Sequence, residues 1–160
     1  MSRGWHWLWV AALVVVLDQL SKAWITRHFG LDQTVALLPV LSFTLRGNTG
    51  AAFSMLADAS GWQRWFFSGV AIVVSLAILA YLYRMDARRQ RLLAVGLSLV
   101  LGGAIGNLID RLRLGQVIDF VAVHWKDAYF PAFNIADSAI TVGAILMLFD
   151  ALFLERMRSR

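Results

Sequence analysis

Four aspartates, Asp18, Asp110, Asp119 and Asp137, stand inside or beside strongly apolar runs. A charge near bilayer depth costs at least about 2.5 kcal/mol on insertion scales, so carboxylates in such places are held by a partner or retained for chemistry. Two carboxylates held close together cannot both ionise cheaply. They share a proton, and such a pair can activate a water while protonating a leaving group. Asp119, in Val117-Ile118-Asp119-Phe120, and Asp137, in Phe133-Asn134-Ile135-Ala136-Asp137-Ser138, are the best candidates, because their apolar flanks keep bulk water away. Asp137 also sits where a span would start, the place of a helix N-cap, and spacing alone leaves both readings open.

Other polar side chains have competing readings of their own. Asn107 and Asn134 each offer an amide acceptor and two donors to an extended peptide, but polar glue between helices uses the same groups. Arg111 beside Asp110 reads equally as a paired interfacial charge. Ser138 follows Asp137 and His124 lies in the same loop, which raises a serine mechanism; a histidine next to Trp125 reads more simply as a residue of the membrane interface. His6 and His28 have no clustered partners and read as interfacial. Asp150 lies near the end of an apolar run, where arginines of the tail can pair with it, and is structural on this reading. The chain has no cysteine, which removes disulfides, thiolate metal sites and a cysteine nucleophile together.

The elements that must position these groups follow from hydropathy. Of 160 residues 59% are hydrophobic and 16% charged, with a mean hydropathy of +0.66, outside the range of soluble domains. Apolar runs at about 5–25, 65–83, 92–109 and 135–154 are each long enough to cross the hydrocarbon layer and lack the alternation of barrel strands. The prediction is an all-α membrane protein: four transmembrane helices forming a single domain over 1–160. The first run follows Arg3 as a signal peptide would, but no small-residue cleavage site comes after it, and a retained helix is the better reading.

The net charge of +5 does not point to nucleic acid. Arg84, Arg88, Arg89 and Arg91, then Arg156, Arg158 and Arg160, flank apolar runs in the manner of cytoplasmic loops, which places both termini in the cytoplasm. Asp18, Asp110, Asp119 and Asp137 then converge on the outer face. In the first outer loop, 34–45 reads as one or two surface strands, and Gly61-Trp62-Gln63-Arg64-Trp65-Phe66-Phe67 as a short amphipathic helix anchored at the interface. Gly102 and Gly106, four apart, read as a helix-packing surface.

These residues also carry a more specific signal. Asp18-Gln19-Leu20-Ser21-Lys22, Asn48-Thr49-Gly50-Ala51-Ala52-Phe53-Ser54, Gly102 through Arg111, Val117-Ile118-Asp119-Phe120 and Phe130 through Ser138 form five blocks, in order, that resemble the signature blocks of the lipoprotein signal peptidases. The resemblance covers essentially the whole chain. It implies a metal-free, cofactor-free aspartic endopeptidase in which Asp119 and Asp137 are the catalytic pair. The implied substrates are prolipoproteins whose lipobox cysteine already bears diacylglycerol, cut on the N-terminal side of that cysteine. Asn48, Asn107, Arg111 and Asn134 would hold the substrate backbone or the surroundings of the pair, Asp18 and Lys22 would support the site, and the surface strand would clamp the substrate. The expected setting is the bacterial inner membrane, with a monomer among membrane lipids and its site near the periplasmic face.

Two other classes compete. A proton-coupled transporter would also bury aspartates, but pseudo-symmetric halves with polar groups near the midplane are expected of it, whereas here they crowd one interface. A packing subunit predicts dispersed polar residues.

Overall fold

The structure, a computed structural model, describes residues 4–50, 61–126 and 128–154. Its order is α1 (Leu8–His28, entered through a 3-10 turn at Gly4–Trp7), β1 (Thr34–Leu38), β2 (Leu41–Asn48), α2 (Trp62–Arg84), α3 (Arg91–Leu114), β3 (Val117–Trp125), β4 (Ala128–Tyr129) and α4 (Ile135–Phe149), which ends in a π-helical turn at Asp150–Leu154. Among the described residues four helices have the length and hydropathy to span a membrane. Helix is the form that satisfies every backbone group within a segment surrounded by lipid. Both prolines, Pro39 and Pro131, fall outside the spans. Gly115 ends α3 in the left-handed conformation, at φ 78°, with its N–H bonded to the Arg111 carbonyl at 3.1 Å.

Four apolar helices lie where spans were expected; the first three run past the expected ends, and α3 continues one turn past Asp110, so that aspartate lies within the helix. The strands expected in the first outer loop are β1 and β2, joined through Pro39 and Val40. One expectation changes. The segment Gly61–Phe67 is not a separate amphipathic helix: Trp62 opens α2 itself, and its aromatic residues are the first turns of that span. The connection between α3 and α4, for which no strand was expected, contains β3 and β4. The β-branched residues of Val117-Ile118-Asp119-Phe120-Val121-Ala122-Val123 favour a strand once a neighbouring edge exists to pair with. Residues 51–54 of the second signature block, and the arginines of the C-terminal tail proposed as partners of Asp150, lie outside the described residues.

The sheet has the order β1-β2-β3-β4, antiparallel throughout. Helix α3 is the centre of the bundle, packed against α1, α2 and α4. Glycine makes this possible. A Cβ on Gly102 would meet Val14 and Ala11 of α1, and one on Gly106 would lie 2.7 Å from Asp18 Oδ2. Large apolar side chains such as Trp9, Leu20, Val73, Leu76, Ile145 and Leu148 point outward and are exposed, as lipid-facing surfaces require.

Two apolar clusters occupy the interior. One contains Ala11, Leu82, Ala94 and Leu101; the other, under the sheet, contains Ile25, Leu45, Ile118 and Phe120. Along α1 the buried residues pass from Ala11 through Asp18 and Lys22 to Ile25, so a polar layer lies between the clusters.

Candidate active site

Asp119 is the third residue of β3 and Asp137 lies in the first turn of α4, so sheet and helix deliver the two carboxylates from different directions. Both face one cavity of about 570 Å³, together with Asn48, Asn107, Arg111 and the apolar Val117, Phe130 and Ile140. Asp119 Oδ1 accepts from Asn134 Nδ2 at 2.8 Å and Oδ2 accepts from Asn48 Nδ2 at 2.9 Å. Asp137 Oδ1 accepts from Asn107 Nδ2 at 2.8 Å and Oδ2 from the Asn134 backbone N–H at 3.2 Å. Among the described residues, neither carboxylate is in direct contact with a cation.

Burial pushes the Asp119 carboxyl up to about 7, and the negative charge of Asp137 pushes in the same direction; the bonds from Asn48 and Asn134 and the charge of Lys22 oppose this only in part. A carboxyl that titrates near neutrality beside a second carboxyl is suited to hold one shared proton.

The N-cap question is resolved by division of labour. Asn134, fully buried, is the cap of α4: its side-chain oxygen accepts from the Asp137 N–H at 2.9 Å, and Asp137 returns the bond to the Asn134 N–H. Asp137 is therefore both a member of the capping box and a wall of the cavity. Asp18 extends the same device from α1, since its Oδ1 accepts from the Ala136 N–H at 3.0 Å.

Beneath the pair lies a buried ionic layer. Lys22 Nζ is 2.7 Å from Asp18 Oδ2, 2.8 Å from Asp110 Oδ2 and 3.1 Å from Asn107 Oδ1. Asp110 thus has Lys22 as its ion partner, not its neighbour Arg111, and it also accepts from Gln19 Nε2 and the Ile118 N–H. Pairing with Arg111 is the reading that adjacency suggests, but successive helical residues do not face each other. Arg111 instead reaches toward the cavity, over the ring of Phe67 at 5.4 Å and 3.5 Å from the Gly50 carbonyl. Sequence reasoning missed Gln19 and the role of Asp110. Their signal was the position of Gln19 between Asp18 and Lys22, and of Asp110 one turn beyond Gly106.

The residues of the serine alternative are engaged elsewhere: Ser138 Oγ donates to the Asn134 carbonyl, and His124 Nε2 lies 3.2 Å from Ser42 Oγ in the sheet. No group of three or more potential metal ligands occurs among the described residues.

With this geometry in place, comparison with known proteins is specific. The chain is 51% identical over 149 residues to the lipoprotein signal peptidase of Yersinia enterocolitica, covering 93% of this chain and 88% of that one. It is 56% identical over 146 residues to the lipoprotein signal peptidase of Pseudomonas aeruginosa, covering 90% and 86%. A bacterial membrane enzyme solved by the in meso method at 2.3 Å resolution superposes with a TM-score of 0.83 at 32% identity, covering 97% of this chain and 92% of that one. The family model described as signal peptidase (SPase) II, Peptidase_A8, matches residues 10–153, nearly the whole span from α1 to the final turn of α4. The match takes in both aspartates and the layer beneath them, and the chain belongs to the signal peptidase II family of multi-pass membrane proteases.

Proposed function

We propose that this chain is an aspartic endopeptidase that removes signal peptides from diacylglyceryl-modified prolipoproteins, cutting on the N-terminal side of the lipidated cysteine. The lipoprotein substrate class is supported by the names of the relatives, which are 51% and 56% identical. The observation that carries the mechanism is the placement of Asp119 and Asp137 in one cavity, each held by amide donors and one titrating near neutrality.

In this mechanism the ionised carboxylate takes a proton from a water whose oxygen attacks the scissile carbonyl carbon, while the protonated carboxyl donates to the carbonyl oxygen. The resulting diol collapses: its C–N bond breaks, the nitrogen of the lipidated cysteine receives a proton from the carboxyl that accepted it, and the other carboxylate recovers its own. The shared proton is restored at the end of each turnover. Water is the nucleophile and no acyl-enzyme forms. Asn48, Asn107 and Asn134 fix the carboxylates, and Arg111 faces the substrate cavity.

The arginine clusters favour cytoplasmic termini and so support a site at the periplasmic face of the inner membrane. The chain acts as one domain and as a monomer on this reading, with the strands β1 and β2 holding an extended substrate, and β2 reaching the cavity through Asn48. Processing by purified protein of a lipidated precursor, compared with the Asp119→Asn and Asp137→Asn forms, is the test. Undiminished cleavage by either folded variant rules the pair out. A transporter or packing subunit would show no processing at all.

A further inference from the structure

The buried ammonium of Lys22 has three N–H groups and three acceptors within reach, Asp18 Oδ2, Asp110 Oδ2 and Asn107 Oδ1, and only 4% of it is exposed. Two of those acceptors are carboxylates, which would be sufficient for a structural ion cluster. The third is a neutral amide, and that amide is what bonds to Asp137.

An asparagine side chain has two orientations of nearly equal shape that exchange its oxygen and nitrogen. For Asn107 they are far from equal in energy. As placed, its oxygen faces the Lys22 ammonium and the Asn134 amide nitrogen, at 3.1 and 3.2 Å, and its nitrogen faces Asp137 Oδ1 at 2.8 Å. In the flipped orientation the NH2 group meets an ammonium, which has no lone pair, and the amide oxygen meets a carboxylate. Lys22, with the Asn134 amide nitrogen beside it, thereby excludes the orientation that would repel Asp137. Asn134 needs no such help, because the Asp137 backbone N–H already fixes its amide.

We propose that Lys22 is a positioning residue for catalysis: acting through Asn107, it holds the donor that keeps the Asp137 carboxylate in its reactive orientation, in addition to joining α1 to α3. This deepens the aspartate-pair reading and rests on it. The consequence is that Lys22 and Asn107 form a unit, with one effect on turnover between them.

Removing the lysine alone would leave Asp18 and Asp110 buried without a cation, and loss of fold would then hide its role. The test is therefore Lys22→Met combined with Asp110→Asn, which removes one charge of each sign. Asp18 keeps its Ala136 N–H donor. The all-neutral Asp18→Asn/Lys22→Met/Asp110→Asn form is made in parallel. Fold is followed by gel filtration and thermal midpoint in detergent, and kcat and KM are measured on a lipidated precursor across pH, alone and combined with Asn107→Ala.

The expected result is a folded enzyme with kcat lower by on the order of tenfold to a hundredfold, KM little changed, and a displaced pH–rate profile. The combination with Asn107→Ala should lose no more kcat than Asn107→Ala alone. A folded neutral variant with wild-type kcat, or losses that multiply with those of Asn107→Ala, would overturn the proposal. So would failure of both the double and the all-neutral triple form to fold, since Lys22 would then serve only to hold the helices. Asp119→Asn in the wild-type background separates the two levels: if it cleaves normally the pair itself is wrong, whatever Lys22 does.

Discussion

Asn134 and Asp137 cap each other, the Asn134 side-chain oxygen on the Asp137 N–H at 2.9 Å and the Asp137 carboxylate on the Asn134 N–H at 3.2 Å, so the start of α4 and one wall of the cavity are the same structure. The other end of the Asn134 amide donates to Asp119. One buried residue therefore fixes the helix start and links the two carboxylates.

These two roles of Asn134 are separable. Serine is a good N-cap but has no second donor to send to Asp119. Both Asn134→Ser and Asn134→Ala should lose about tenfold or more in kcat, but Asn134→Ser, which keeps the cap, should be the more stable of the two by about 1 kcal/mol. Equal stability losses in the two variants would show that the cap contributes nothing.

The aspartates should behave as a unit. Asp119→Asn, Asp137→Asn and the double substitution should each lose on the order of a thousandfold in kcat, and the double no more than either single change. Independent, multiplying losses would argue against a shared proton, and a trapped acyl-enzyme would move the nucleophile from water to a side chain.

The position of the Asp119 proton also has a signature in stability. The folded carboxyl titrates at about 7 and an unburied one at 3.8, so between these values the native state binds a proton that the unfolded chain has released. Its contribution is fully present below the lower value and is lost as pH rises through the upper one. Thermal midpoints of the wild type in detergent should therefore fall across this window more steeply than those of Asp119→Asn. Parallel curves would mean that Asp119 titrates as an ordinary aspartate.

Substrate class and orientation need separate measurements. A precursor lacking diacylglycerol should be cut far more slowly than its lipidated form, and equal rates would remove the lipid from the specificity while leaving the peptidase intact. Single cysteines at Leu31, which is 73% exposed beyond α1, and at Gln90, between α2 and α3, should label from opposite sides of the membrane. The absence of native cysteine keeps the background clean. Labelling of both from one face would contradict the four-span topology.

The sequence by itself determined the four spans, the strands between the first two of them and the family, because hydropathy, β-branched runs and block order are local properties. It also singled out Asp119 and Asp137, since a carboxylate with apolar neighbours is costly wherever the chain goes. Which partner each polar group takes was decided only by tertiary structure. Asp110 stands next to Arg111 in sequence yet pairs with Lys22, 88 positions away, because α1 and α3 meet across glycines that admit Asp18 beside Gly106. The strand carrying Asp119 likewise needed β2 beside it, and the orientation of the Asn107 amide needed an ammonium from another helix. Hydrogen bonds and ion pairs act over about 3 Å in space, and one-dimensional spacing does not encode that distance.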